Sequence, residues 1–339
     1  GMESNEGLQA KYDYEVGGFF VFPGENWIVR NNHVHDCFDG ISHMGMTKYH
    51  KTISNQQYDE PTKNLKFYEN RVERCVDNAM EFENRIDGLE IYHNEFYNNY
   101  MTFSWQPMNG KPWPQNIKIY KNIVYMSPED GKMWLDKAKY GASWFKAGAK
   151  YDQWKWWTWM AEELIDQWKF PANPITPEGD GVLVYNNTVV TPYAYFLEKC
   201  NGHESICFDN FTFANNIFVT EVKDNKKHST SHKDIMNGDA IQNRTGFLFH
   251  HNLYCTSEYQ ENYVNDSLSL NGGYTLKDPR DIGFKDMENM RFELTDRSPA
   301  VGAGVLLEGE AESSVDLGAI PYGQTWNVPK VGPEKQSNE

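Results

Sequence analysis

Apolar positions recur along this chain in one short frame: apolar, any, apolar, two variable residues, Asn, any, apolar. The frame appears seven times, as WIVRNNHV (27–34), LKFYENRV (65–72), LEIYHNEF (89–96), IKIYKNIV (117–124), VLVYNNTV (182–189), FTFANNIF (211–218) and FLFHHNLY (247–254). Apolar residues at a spacing of two share one face of a strand. The frame therefore predicts a strand, a sharp corner and a second strand that resumes the same inward face. The corner is assigned to the Asn itself, at Asn32, Asn70, Asn94, Asn122, Asn187, Asn216 and Asn252. Asn tolerates left-handed backbone, and its amide can hydrogen-bond a turn.

Recurrence at one offset implies stacking. If successive coils lie about 4.8 Å apart, the seven amides form a ladder. The interval from Asn70 to Asn94 is 24 residues, enough for three short strands and their turns. That is one coil of a solenoid in which each coil touches only its neighbours. The interval from Asn122 to Asn187 is far longer, at 65 residues. It holds a stretch rich in Trp, Ala, Lys and Glu at 133–170, followed by Pro171, Pro174 and Pro177. This composition predicts a Trp-rich helical insertion at 127–178, packed against the side of the stack. Within it, Trp154, Trp156, Trp157 and Trp159 could form an aromatic wall for sugar stacking, but the preferred expectation is that most of them pin the insertion onto the flank of the stack.

The segment RCVDNAMEFEN (74–84) alternates apolar and acidic residues. Met80 and Phe82 should point inward, with Glu81 and Glu83 together on the other face and Asp77 just before them. The preceding coil carries DCFDGISHMG (36–45) at the same place and the following coil YMTFSWQP (100–107). Stacking would bring Asp39, Ser42 and His43 beside these acids, with Thr102, Ser104 and Gln106 beyond. Adjacent carboxyls raise each other's pKa, and glycosidic cleavage needs one protonated and one ionised carboxyl. Glu81, Glu83 and Asp77 are the expected catalytic groups. Asp39, His43, Ser104, Gln106, Trp105 and Trp113 are the expected substrate contacts, the two Trp as platforms for a sugar ring. An elimination reading uses the same acids, Asp39, Asp77, Glu81 and Glu83, as hard oxygen ligands for Ca²⁺. It would take a base from His43, Arg71, Arg74, Arg85 or Lys111. His33 and His35 share a face and form a weaker candidate for a transition metal.

On the seven Asn frames, the chain resembles the right-handed parallel β-helix proteins of the pectate-lyase-like superfamily over about residues 17–320. FELTDRSPAVGAG (292–304) and VDLGAIPYG (315–323) look like the closing segment of many secreted bacterial members. DNAMEFE (77–83) and the strands that follow it look like a subgroup presumed to act on carbohydrate. The resemblance implies an all-β, right-handed, single-stranded parallel β-helix of about seven to nine coils. It also implies a tail at 1–16, a second tail at 321–339, and a secreted, periplasmic or cell-surface location. The family's lyase signature residues are not recognisable. Asp77-Asn78 stands where polygalacturonases need paired Asp, so neither specific activity carries over. The expected activity is glycoside hydrolysis, ahead of Ca²⁺-assisted polysaccharide elimination or non-catalytic glycan binding. The remaining expectation is a module of a larger enzyme whose chemistry lies elsewhere.

Composition narrows the partners. With 32 Lys and Arg against 48 Asp and Glu, the net charge of −16 argues against nucleic acid, whose binding rests on cationic side chains. Aromatic content of 15% suits a large core and the stacking of flat ligands such as sugars. A poly- or oligosaccharide is the expected partner. Five Cys show no metal-type spacing, and Gly1 ahead of Met2 reads as a tag remnant. No apolar run is long enough to cross a membrane as a helix.

Overall fold

The computed structural model describes residues 17–21, 24–43, 62–82, 86–105, 114–137, 142–147, 178–191, 196–198, 210–220, 247–256, 271–311 and 313–327. The protein is mostly β, built from three stacked parallel sheets. Sheet B takes the strand before each Asn frame corner: Ile28–Arg30, Thr62–Tyr68, Ile86–Tyr92, Gln115–Tyr120, Val182–Tyr185, Phe211–Ala214 and Phe247–His250. Sheet C takes the strand after it, from His33–His35 through Arg71–Glu73, Glu95–Tyr97 and so on to Tyr274–Leu276. Sheet A collects Gly17–Val21, Asp39–His43, Asn78–Glu81, Met101–Trp105, Ser143–Ala147 and Phe196–Glu198. The chain visits B, C and A in turn, and each strand pairs in parallel with the equivalent strand of the next circuit.

Inside, the three sheets share one apolar core. Leu65, Phe67, Leu89 and Ile91 from B meet Val72, Phe96 and Val124 from C and Ile41, Met80, Phe103 and Phe145 from A. Each large apolar side chain so buried contributes about 1.5–3 kcal/mol, which is why strands this short hold together.

The frame Asn residues form the expected ladder. The side-chain oxygen of Asn70 accepts from the main-chain N–H and the amide of Asn32 at 3.1 and 3.0 Å. The same double bond links Asn70 to Asn94, Asn94 to Asn122, Asn122 to Asn187, Asn187 to Asn216 and Asn216 to Asn252. The left-handed residue, however, is not the ladder Asn. It is the residue before it: Asn31, Glu69, His93, Lys121, Asn186, Asn215 and His251, with φ between 50° and 57°. Placing the kink there leaves each ladder Asn free to aim its amide along the stack. For Glu69 and Lys121 the left-handed conformation costs about 1–2 kcal/mol, offset by buried amide bonds.

Among its described residues, the predicted helical insertion is part helix and part strand. One α-helix, α1 (Pro128–Lys137), starts at Ser127, whose Oγ accepts from the Asp130 N–H at 3.1 Å, with Glu129 and Asp130 in the first turn. Ser143–Ala147 is instead a strand of sheet A, paired with Met101–Trp105. Burial decides this: Trp144 packs on Phe218 at 5.2 Å and Phe145 on Phe213 at 5.9 Å between ring centroids. Two aromatics entering the core outweigh local helix propensity. Residues 148–177, including Trp154, Trp156, Trp157 and Trp159, lie outside the described residues, as does the 1–16 tail.

The C-terminal segment returns across the circuits on the outside of the B–C corner. Asn215 Nδ2 donates to the Val305 carbonyl at 2.7 Å and Asn186 Nδ2 to the Asp316 carbonyl at 2.7 Å. Ala319 N–H donates to Thr188 Oγ1 at 2.9 Å, and Trp326 Nε1 to Glu95 Oε1 at 2.9 Å. The docked segment therefore passes the expected boundary at residue 320 and reaches Trp326. Among the described residues no helix is long and apolar enough to cross a membrane.

Candidate functional site

The alternation in 78–82 places Glu81 as expected. Met80 and Phe82 are buried in the core, and Glu81 points the opposite way, half-buried on the outer face of sheet A. Parallel register sets it in a row with one residue per circuit: Ser42 pairs Glu81, Glu81 pairs Ser104, and Ser104 pairs Lys146. Neighbouring strands lie about 4.8 Å apart, so the row is a compact polar strip. It faces away from the core, yet Ser42, Ser104 and Lys146 are 1%, 0% and 4% exposed.

Ser42 and Asn78 both hold the Glu81 carboxylate. Ser42 Oγ donates to Oε2 at 2.6 Å, and Asn78 Nδ2 donates to Oε1 at 3.2 Å. Asn78 Nδ2 also reaches Asp39 Oδ1 at 3.3 Å, and the Asn78 main-chain N–H donates to the same oxygen at 3.1 Å. One amide nitrogen thus touches two carboxyl groups from adjacent circuits. Asp39 and Asn78 are themselves buried, at 2% and 1% exposure. The other amide atom, Asn78 Oδ1, is buried with no hydrogen-bond partner. An acceptor in that state is an unmet demand for a donor.

The remaining expected residues divide clearly. Asp77 sits at the corner before the strand and is fixed through its main chain, its N–H donating to the Phe38 carbonyl at 2.9 Å and its carbonyl accepting from Met101 N–H at 2.9 Å. Trp105 is no sugar platform. It is 0% exposed, its Nε1 donates to the Pro114 carbonyl at 3.1 Å, and its ring packs edge-on against Phe211 at 5.0 Å. It follows outward Ser104, so the pleat turns it inward. His43 closes its strand one residue after Ser42. Glu83, Arg85, Gln106, Lys111 and Trp113 lie outside the described residues.

Among the described residues no three His, Cys, Asp or Glu side chains converge as a metal-ligand set. Of the four expected Ca²⁺ ligands, Asp39 and Glu81 are brought together with Asn78 between them, while Glu83 lies outside the described residues. Arg71 and Arg74, expected as elimination bases, are engaged elsewhere, on the outer face of sheet C. Arg71 Nε donates to Glu73 Oε2 at 2.8 Å, and Arg74 binds Asp36 through Nε at 2.6 Å and a terminal nitrogen at 2.8 Å. His33 and His35 join this network through Glu73 at 3.1 Å and Asp36 at 2.7 Å.

That network has a pH consequence. Hydrogen bonds from Arg74 and then His35 hold Asp36 well below its ordinary value of 3.8. Burial pushes Glu73 upward, but Arg71, Arg74 and His33 together bring it below its ordinary 4.5. Depressed carboxyl pKa values stabilise the fold above the unfolded-state values, and that contribution is lost as the pH falls through the folded-state values. The melting temperature should therefore fall as the pH drops from 4.5 through 3.8 and below. Arg74→Met, melted across the same range, should show a shallower fall.

Lys146 is the site residue that sequence reasoning missed. The helix-like composition around it hid its place in a strand; the S-W-F-K-A pattern, with two adjacent aromatics, was the available signal. In comparisons with known proteins, the chain matches no family model and no curated protein.

Proposed function

We propose that the three sheets are the faces of a right-handed parallel β-helix of the pectate-lyase-like kind, and that the outer row of sheet A is the reactive surface of a secreted carbohydrate-active enzyme. Glycoside hydrolysis is the activity proposed. The observation that carries it is the carboxyl pair Asp39–Glu81 held by one amide nitrogen, with Glu81 gripped at both oxygens. Two carboxyls touching a common nitrogen fall toward the shorter separation of the retaining mechanism rather than the wider gap that admits a water. Glu81, the more accessible, is assigned proton transfer to and from the glycosidic oxygen. Asp39 is assigned the second carboxyl, oriented through Asn78. Asn78 Oδ1, a buried acceptor without a partner, is the group a sugar hydroxyl would satisfy.

Lys146 favours a second reading. A buried amine in the same row as Glu81 stands where elimination at a uronic acid unit needs its base. Incubation with a panel of plant and host glycans separates the readings. Hydrolysis releases reducing ends without an absorbing product, and should survive Lys146→Met better than Asp39→Asn. Elimination yields an unsaturated, absorbing product and should fail in Lys146→Met. Glycan binding without turnover of any panel member would overturn both readings in favour of a non-catalytic binder.

A further inference from the structure

Two of the described cysteines, Cys37 and Cys75, fall at equivalent places in the first two circuits, at the corner where sheet C passes into sheet A. Their strands run in register there: Val76 N–H donates to the Cys37 carbonyl at 3.1 Å, and Tyr100 N–H to the Cys75 carbonyl at 3.0 Å. Equivalent residues of adjacent parallel strands have Cα atoms about 4.8 Å apart, inside the disulfide window of about 4.4–6.8 Å. The wall of sheet A facing the sulfurs is built from small residues. A Cβ on Gly18 would stand 2.9 Å from Cys37 Sγ, and one on Gly40 would stand 3.0 Å from Cys75 Sγ and 2.6 Å from the Ala79 carbonyl. Both thiols are free. They differ in access: Cys37 is half-buried at the surface, whereas Cys75 is fully buried.

From this geometry we infer that Cys37 and Cys75 form a thiol-modification site, in which Cys37 is the attacking thiol and Cys75 the resolving one, and that a small-molecule disulfide converts them into a covalent link between the first two circuits. The Cys37 thiolate attacks one sulfur of oxidised glutathione, forming a mixed disulfide and expelling one glutathione thiolate. Cys75 then attacks Cys37 Sγ, its proton passing to the expelled glutathione sulfur, which leaves as the second glutathione thiol. The two protein thiols are oxidised and the glutathione disulfide is reduced to two thiols. The surroundings divide the roles accordingly. A hydrogen bond from the Cys75 thiol, opposed by burial and assisted by nearby His35, draws Cys37 down to about 7, with Asp36 acting against it. The same bond to Cys37, then burial and the charges of Cys37, Asp39 and Asp36, push Cys75 up. A thiol near 7 is substantially ionised at neutral pH and is the better nucleophile there.

The test uses the full chain and oxidised glutathione, with peptide mass mapping of each cysteine. In the wild-type protein the Cys37 and Cys75 peptides should appear joined, two hydrogens lighter than their sum, with no retained glutathione. Cys75→Ser should stop at a stable glutathione adduct on Cys37, and Cys37→Ser should leave Cys75 unmodified. Iodoacetamide labelling of Cys37 in the unmodified wild-type protein, which needs no variant to fold, should reach half its maximal rate near pH 7. A stable glutathione adduct on Cys37 in the wild type, equal reactivity of Cys75 in Cys37→Ser, or half-maximal labelling at the ordinary thiol value near 8.5 would overturn the assignment.

Discussion

Replacing Asn122 by Ala should be among the most damaging single changes to the stack, at about 3 kcal/mol or more. Asn122 is fully buried at the middle of the ladder. Its oxygen accepts two bonds from Asn94 at 3.0 Å each, and its amide donates to the Ile91 carbonyl at 2.8 Å and to Asn187 Oδ1 at 3.0 Å. Alanine would strand the Asn94 main-chain N–H in the core and take the amide donor from the Ile91 carbonyl, and each buried group left unpaired costs about 1–3 kcal/mol. Asn32 is the first rung among the described residues. It donates to Asn70 and to the exposed Arg30 carbonyl, and among the described residues no earlier rung donates to it. Asn32→Ala should cost about 1 kcal/mol, as for an ordinary hydrogen bond. Urea midpoints at unchanged slope give the comparison. Equal losses at the two positions would mean that the amides act singly and that stacking adds nothing.

Glu81→Gln should lower turnover by about 10²–10⁴-fold, the usual contribution of a positioned proton-transfer group, and leave the fold intact. The glutamine keeps the shape of the side chain. Its carbonyl still accepts from Asn78, and Ser42 can turn its hydroxyl to accept from the new amide. What is removed is the exchangeable carboxyl proton. Ser42→Ala leaves the carboxyl in place and removes only the 2.6 Å bond that orients it, so a loss of about tenfold is expected.

The Asn frame carried sheets B and C because every part of it has a local physical meaning: paired inward apolar residues, a kink, an amide. It misplaced the left-handed residue by one position. Asn is the non-glycine residue most prone to that conformation, but here its side chain is committed to the neighbouring circuit, and Glu69 or Lys121 takes the strain instead. Sheet A has no such frame. Glu81 was legible because Met80 and Phe82 flank it in strict alternation. Trp105 was legible by the same rule: Met101, Phe103 and Trp105 alternate with Thr102 and Ser104, which turns its ring inward, and the assignment of a sugar platform overlooked that alternation. Lys146 lay inside a stretch whose composition favours helix, and only the long-range pairing of Ser143–Ala147 with Met101–Trp105 gives it a place in the row. The bond from Asn78 to both Asp39 and Glu81 depends on register between circuits 39 residues apart, which no local pattern encodes.

The assignment of Glu81 rather than its neighbour Asp77 is decided by turnover of Glu81→Gln and Asp77→Asn, measured side by side on whichever glycan the wild-type protein cleaves. An outward carboxyl gripped by Ser42 and Asn78 predicts at least a hundredfold loss at 81 and less than a tenfold change at 77. Full activity in Glu81→Gln, or the larger loss at Asp77, would contradict it.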